Sequence, residues 1–234
     1  MRKNIAILSI LATSLMSYAA RAQDEAPPEG APPVIAPAAA PAPAAEQPAV
    51  APAAAPDTKF QVGVAFLPML IGKYKVSGTG ISQSQDLKFA YGVGLTAGYA
   101  VIPGLSVGIA PQFIFGIKPD VAGAPSDSAK EIDIMARIAY AYHVIPALAA
   151  YAEVLPGYSI IMIPDSWKNG MSMDNPAGFV IAFGAGAAYD ITDMFFANVG
   201  IGYQMGLQST KVAGSSYDVK TSFLRLAVGG GVKF

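Results

Sequence analysis

Residues Ser222 to Phe234, SFLRLAVGGGVKF, constrain the fold more than any other stretch. Phe234, Val232, Gly230, Val228, Leu226, Leu224 and Ser222 make one almost wholly apolar face. Lys233, Gly231, Gly229, Ala227, Arg225 and Phe223 make the other. Alternation over this length is the period of a β-strand with two unlike environments. In a water-soluble sandwich the less apolar face looks outward and is rich in Lys, Glu and Thr. Here it is mostly glycine and alanine, which suits a crowded concave interior and turns the apolar face outward. The terminal aromatic side chain fits a membrane interface.

The pattern recurs seven times upstream, with expected outer rows that begin at Phe60, Phe89, Leu105, Ile132, Val154, Phe179 and Phe195. The third runs Leu105, Val107, Ile109, Pro111, Phe113, Phe115 and Ile117. Apolar residues make up 53% of the chain and charged residues 13%. No apolar run is long enough for a spanning helix, whereas a tilted strand crosses a bilayer in about 9–11 residues. The expected fold is all-β: an eight-stranded antiparallel transmembrane β-barrel. Pro111 and Pro156 lie within strands and are expected to mark bulges.

Connection lengths alternate. Short turns fall at Ile102-Pro103-Gly104, Ile145-Pro146-Ala147 and Ile191-Thr192-Asp193, and long polar links at roughly 72–87, 118–130, 163–177 and 208–219. Tyr99-x-Val-Ile-Pro-x-Leu105 returns as Tyr142-x-Val-Ile-Pro-x-Leu148, a reused hairpin. Seven such connections leave both strand-domain ends on the short-turn side. An open edge in lipid would strand backbone polar groups, so strand eight must close on strand one.

With Gly229, Val232 and Phe234 at the spacing of a carboxyl-terminal insertion signal, residues 58–234 resemble the small OmpA/OmpX-like outer-membrane β-barrel family. Ala227 departs from that signal, since the family usually has a polar residue there. The resemblance implies a bacterial outer-membrane location, both termini in the periplasm, contact with membrane lipid and lipopolysaccharide, and handling by the barrel insertion machinery. It implies structural or surface-interaction roles more than one shared activity, and fold alone does not settle function.

Residues 1–22 are expected to be a secretory signal peptide: Arg2 and Lys3, an apolar core from Ile5 to Met16, and a cleavage site at Ala20-Arg21-Ala22. Residues 23–57 are expected to be a disordered periplasmic tether. Between Ala26 and Pro56 there are 10 prolines and 14 alanines in 31 residues, which opposes both helix and ladder. Extended, that stretch reaches about 95 Å at roughly 3.1 Å per residue.

The chain has no cysteine, which removes disulfides, thiolate nucleophiles and thiolate metal sites. Its net charge of −1 points away from nucleic acid. Asp133, Arg137, Glu153 and Arg225 are expected to face inward and meet as a lumen charge network, because buried charges must be paired. His143, Asp190 and Lys233 lie lower. Glu131 is grouped with the loop acids, and Lys73, Lys75, Lys88, Lys130 and Lys220 with the loop lysines, which suit lipopolysaccharide phosphates as point charges. Trp167 is the expected exposed contact on the third loop.

His143 is the sole histidine, expected at the periplasmic rim with no serine beside it. No catalytic, cofactor or metal site is expected. The favoured reading is a non-enzymatic barrel with a structural or surface-interaction role through its extracellular loops, with a surface or cell-wall partner left open. A narrow channel for small solutes and a lipid-modifying enzyme are the alternatives.

Overall fold

The computed structural model describes residues 59–234, apart from 79, 122–125 and 169–171. The signal-peptide and tether expectations lie outside the described residues. Among the described residues the strands are β1 (Phe60–Gly78), β2 (Ile81–Leu87), β3 (Ala90–Ile102), β4 (Leu105–Ile109), β5 (Gln112–Ile117), β6 (Ala129–Ile145), β7 (Leu148–Met162), β8 (Ala177–Asp190), β9 (Phe195–Val212) and β10 (Ser215–Lys233), with a short helix, α1 (Asp165–Lys168), between β7 and β8. β2 with β3, and β4 with β5, are interrupted single staves, so the ring has eight members.

β1 pairs antiparallel with β10 from Gln61↔Lys233 to Ser77↔Asp218, which closes the sheet. At the rim where the staves end, the Lys59 and Phe60 amides donate to the Phe234 carbonyl at 2.9 and 3.1 Å, and the Phe234 amide donates to the Phe60 carbonyl at 2.8 Å. This is the terminal rim, which also carries the three short turns; the opposite end is the hairpin rim.

Sidedness follows the alternation. Phe60, Ile134, Val144 and Phe195 are exposed on the outside, whereas Met135, Leu155 and Phe223 are each 1% exposed inside. An apolar belt around the whole ring far exceeds any patch that water tolerates, and suits lipid. Aromatic pairs mark two levels of it: Phe60 with Tyr99, ring centroids 4.9 Å apart, and Tyr91 with Phe115 at 6.0 Å.

Five local expectations need correction. Pro111 and Pro156 shift no register: Ala97↔Ile109 and Gly94↔Gln112 stay in step, as do Ile138↔Val154 and Met135↔Gly157. A proline removes one ladder donor without requiring an extra residue. Shifts occur instead at Leu70, between Met69↔Arg225 and Ile71↔Leu224, and near Gly116, between Ile114↔Glu131 and Ile117↔Ala129. Two more sit beside short turns, between Ala100 and Ile102 and between His143 and Ile145. Gly116 has φ +78°, the left-handed conformation of a glycine bulge. One extra residue reverses the parity, so Ile117, expected outside, is 5% exposed in the interior.

The expected links at 72–87 and 208–219 are also ladder. β1–β2 pairing continues to Gly78↔Ile81 and β9–β10 pairing to Val212↔Ser215. The second hairpin turns through Ala213 (φ 49°) and Gly214 (φ 85°), the two positive φ values of a type I′ turn. Lys73, Lys75 and Lys220 therefore stand on outward strand faces.

Gly116→Ala tests the bulge. A Cβ there would have room, 3.5 Å from the Tyr91 ring. The cost is therefore the left-handed backbone alone, about 1–2 kcal/mol. Urea unfolding in detergent should show that loss with no change in fold.

Candidate functional site

The hairpin-rim half of the interior is filled. Leu67, Met69, Leu87, Ile114, Val219 and Phe223 belong to one buried apolar cluster. Against it lies a polar network carried by the inner rows of β5, β6, β7, β9 and β10. Arg137 Nε donates to Glu153 Oε2 at 2.7 Å, and Arg225 Nη2 lies 4.0 Å from Glu153 Oε1. Glu153 thus sits between two guanidiniums. Arg225 Nη1 donates to Gln112 Oε1 at 2.8 Å and to Gln204 Oε1 at 3.4 Å. Gln204 Nε2 donates to Asp133 Oδ2 at 2.8 Å.

Three of the four expected lumen charges, Arg137, Glu153 and Arg225, are thus brought together. Asp133 joins them through the Gln204 carboxamide rather than by an ion pair. Glu131, grouped with the loop acids from sequence, is a correction: it is 1% exposed on the inner row of β6 and accepts from Ser159 Oγ at 2.9 Å. Its parity with Asp133, Met135 and Arg137 is the signal that locates it. Gln112, Gln204 and Gln208 were missed because a search for ionisable groups passes over uncharged amides. All three occupy buried inner positions.

The terminal-rim half is open. A cavity of about 380 Å³ has Ala139, Ala141, Tyr151 and His143 in its walls and reaches Arg137, Glu153 and Arg225. Lys233 pairs with Asp190 near its mouth, with its ammonium 5.6 Å from the centre of the Phe196 ring. Of the insertion-signal residues, Gly229 lies on the inner row of β10 beside the β1 backbone, while Phe234 is exposed outside.

The remaining connections form a collar at the hairpin rim. Lys88 N donates to Lys118 O and Asp120 N to Asp86 O, tying the second connection to β2. Asp174 N donates to Lys211 O and Ala213 N to Ser172 O, tying the third to the β9–β10 hairpin. Trp167, on α1, donates through Nε1 to Asp127 O at 3.2 Å and packs on the apolar cluster. Its ring is half-buried rather than freely exposed, because it joins those two connections.

Replacing Glu153 with Gln removes the counter-charge of two enclosed guanidiniums. Breaking a buried pair from one side typically costs about 3–5 kcal/mol. Asp86→Ala, on the outer face of β2, should change stability by less than about 0.5 kcal/mol. Urea midpoints of the two variants in one detergent check the contrast.

A family model described as outer membrane protein beta-barrel domain matches residues 35–234. Among solved structures, the chain is similar to the outer membrane protein OprG from Pseudomonas aeruginosa, with 15% identity over 77% of this chain and 96% of that one, and a TM-score of 0.54. It is also similar to Neisserial surface protein A (20% identity, 75% and 97% coverage, TM-score 0.47). A third similarity is to Ail, the attachment invasion locus protein of Yersinia pestis (13% identity, 76% and 99% coverage, TM-score 0.39). No match was found among curated proteins. An apolar outer belt, a closed eight-stave ring and the family match over most of the chain agree: the protein belongs to the outer membrane protein β-barrel domain family and resides in the outer membrane.

Proposed function

We propose that this protein is a closed, non-enzymatic barrel that works through the collar at its hairpin rim, as a structural or surface-interacting component of the envelope. The carrying observation is the filled hairpin-rim half of the lumen, where Glu131, Asp133, Gln204 and Phe223 are each at most 1% exposed. The charge network of Asp133, Arg137, Glu153 and Arg225 acts in this reading as a plug. The open terminal-rim cavity is then a vestibule with a floor, which weighs against the channel alternative.

The same reading sets the hairpin rim outside the cell and both termini in the periplasm, with residues 1–22 as an export signal and 23–57 as a tether. The length asymmetry supports it: three short turns at one rim, extended hairpins and a bonded collar at the other. Lys73, Lys75 and Lys220 then stand outside the lipid belt, at a level suited to lipopolysaccharide phosphates. The collar is the surface for a partner, with Trp167 as its internal brace.

Single-channel recording in planar bilayers tests the plug. The wild type should pass no steady current above a protein-free bilayer, and leak should arise only in lumen variants such as Arg225→Ala. A large, steady wild-type conductance would overturn the closed-barrel reading in favour of the channel.

The spacing of Gly229, Val232 and Phe234 supports a role as an insertion signal. Phe234→Ala keeps the backbone bonds to Lys59 and Phe60 and removes only the ring. Refolding in detergent should therefore be nearly normal, while the heat-modifiable form in cell membranes should fall several-fold. Equal loss in both assays would make Phe234 a stability residue instead.

A further inference from the structure

We propose that the vestibule at the terminal rim is a binding site for a small monocarboxylate with an unbranched apolar tail. The cavity of about 380 Å³ runs from Lys59 and Lys233 at its mouth to Gln112, Arg137 and Arg225 at its floor. On β10, Lys233 lies eight positions beyond Arg225, which is about 26 Å along a strand and roughly 20 Å along the axis of a tilted one. That volume over that depth is a slot rather than a chamber, and it suits a single chain better than a fused ring system. Its walls are small by sequence. From the filled half to the open half, β1 passes from Leu67 to Ala65, β6 from Met135 to Ala139 and Ala141, and β10 from Phe223 to Ala227. Ala149 on β7 and Ala188 on β8 stand opposite each other in the same wall. Along these alanines water has few of the polar partners it needs, so an apolar tail that displaces it gains affinity.

The floor selects the head group. Glu153 sits between two guanidiniums, with Arg137 Nε 2.7 Å from Oε2 and Arg225 Nη2 4.0 Å from Oε1. One carboxylate between two cations leaves an excess of positive charge at the bottom of the slot. Arg225 is also held from behind: its Nη1 donates to Gln112 and Gln204, and Asp133, linked through Gln204, acts on its charge. Asp133 and Glu131 themselves are not part of the cavity wall. The excess therefore falls on Arg137. Among the described residues its hydrogen bond is through Nε, so Nη1 and Nη2 stand as an unused fork. The Arg137 side chain keeps 13% of its surface, and on the inner row of β6 that surface faces the cavity. Two parallel N–H groups match the two oxygens of a carboxylate. A phosphate monoester would bring about two negative charges where one is wanted. At the mouth Lys233 is paired with Asp190 and Lys59 is exposed to water, so the enclosed, unsatisfied charge is at the floor.

The chain has no cysteine, so a single introduced thiol can report on the slot. In the full chain in lipid nanodiscs, Ala141→Cys puts a thiol in the wall, and Ser82→Cys puts one on the exposed face of β2 at the opposite rim. A small methanethiosulfonate reagent modifies both. Octanoate should slow modification at position 141 several-fold and saturably, and leave position 82 unaffected. Octanol and octylamine, which share the tail without the anion, and acetate, which has the anion without the tail, should each protect several-fold less. Arg137→Gln in the Ala141→Cys background should abolish protection by octanoate while the thiol still reacts; Glu153 keeps Arg225 beside it in that variant. Should that variant not refold, Ala188→Leu, which fills part of the wall and alters no charge, should abolish it instead. Equal protection by octanoate and octanol, or protection that survives these substitutions, overturns the proposal in favour of unspecific partition of the tail. No protection by octanoate overturns it outright. The readout is a labelling rate and not a current, so its outcome is separate from whether the barrel conducts.

Discussion

The pairing of β1 with β10 is the interaction on which the rest of the molecule depends. In hydrocarbon each unpaired backbone group costs several kcal/mol, so an open sheet of this composition has no stable place in a membrane. Closure also constrains side chains. A Cβ at Gly229 would run into the Val64 carbonyl and the Ala65 backbone, and one at Gly231 into Val62 and Gly63. The glycine-rich inner row of β10 is therefore what lets the first and last staves meet along their lower ladder. Gly229 has this steric duty whatever else its spacing from Phe234 signifies.

A ring of only eight staves encloses a narrow interior, and the alternation that gives lipid its apolar face hands that interior the remaining residues. Charges caught there must find partners across the lumen. Short side chains on adjacent strands do not suffice, and the long amides of Gln204 and Gln208 supply the reach. They link β9 to Asp133 on β6, Ser159 on β7 and Arg225 on β10. The network thus couples staves that share no ladder, and its rigidity comes from mutual dependence: no member can leave without exposing another to low dielectric.

The outer rows were legible because lipid imposes a rule on every second residue for the whole crossing. The Arg137–Glu153 pair was legible for a related reason, since the turn at Pro146 sets the register of β6 against β7 and places the two diagonally. What was hidden lay where that rule stops. Outside lipid, a strand with polar residues on its outer face and a few scattered apolar ones inside gives no strong alternation, so the extensions of β1–β2 and β9–β10 pass for loops. Bulges are hidden for another reason: a single extra residue at Leu70 or Gly116 reverses every later assignment, as with Ile117. Glu131 was lost by lying next to a stretch taken for a loop. The carboxamides of Gln204 and Gln208 were passed over because pairing arguments from sequence look for charges.

The shift at Leu70 falls where β1 changes solvent. Before it, Phe60, Val62, Val64 and Phe66 face outward over Gln61, Gly63 and Ala65, and only then do Leu67 and Met69 enter the apolar cluster. After it, Lys73 and Lys75 face outward, and Tyr74 and Val76 pack on the apolar cluster inside. The partner strand does the same, with Val228 exposed in the belt, and Lys220 outside and Val219 buried beyond it. One stave is thus built inside-out where it meets lipid and like an ordinary soluble sheet where it leaves. The projecting hairpins have no bilayer to hold them, so they need an apolar core of their own; Phe223, Val219 and Ile117 provide it. That core occupies the space a pore would require. Closing the lumen and holding the collar rigid are therefore the same packing, and a variant that opens one should loosen the other.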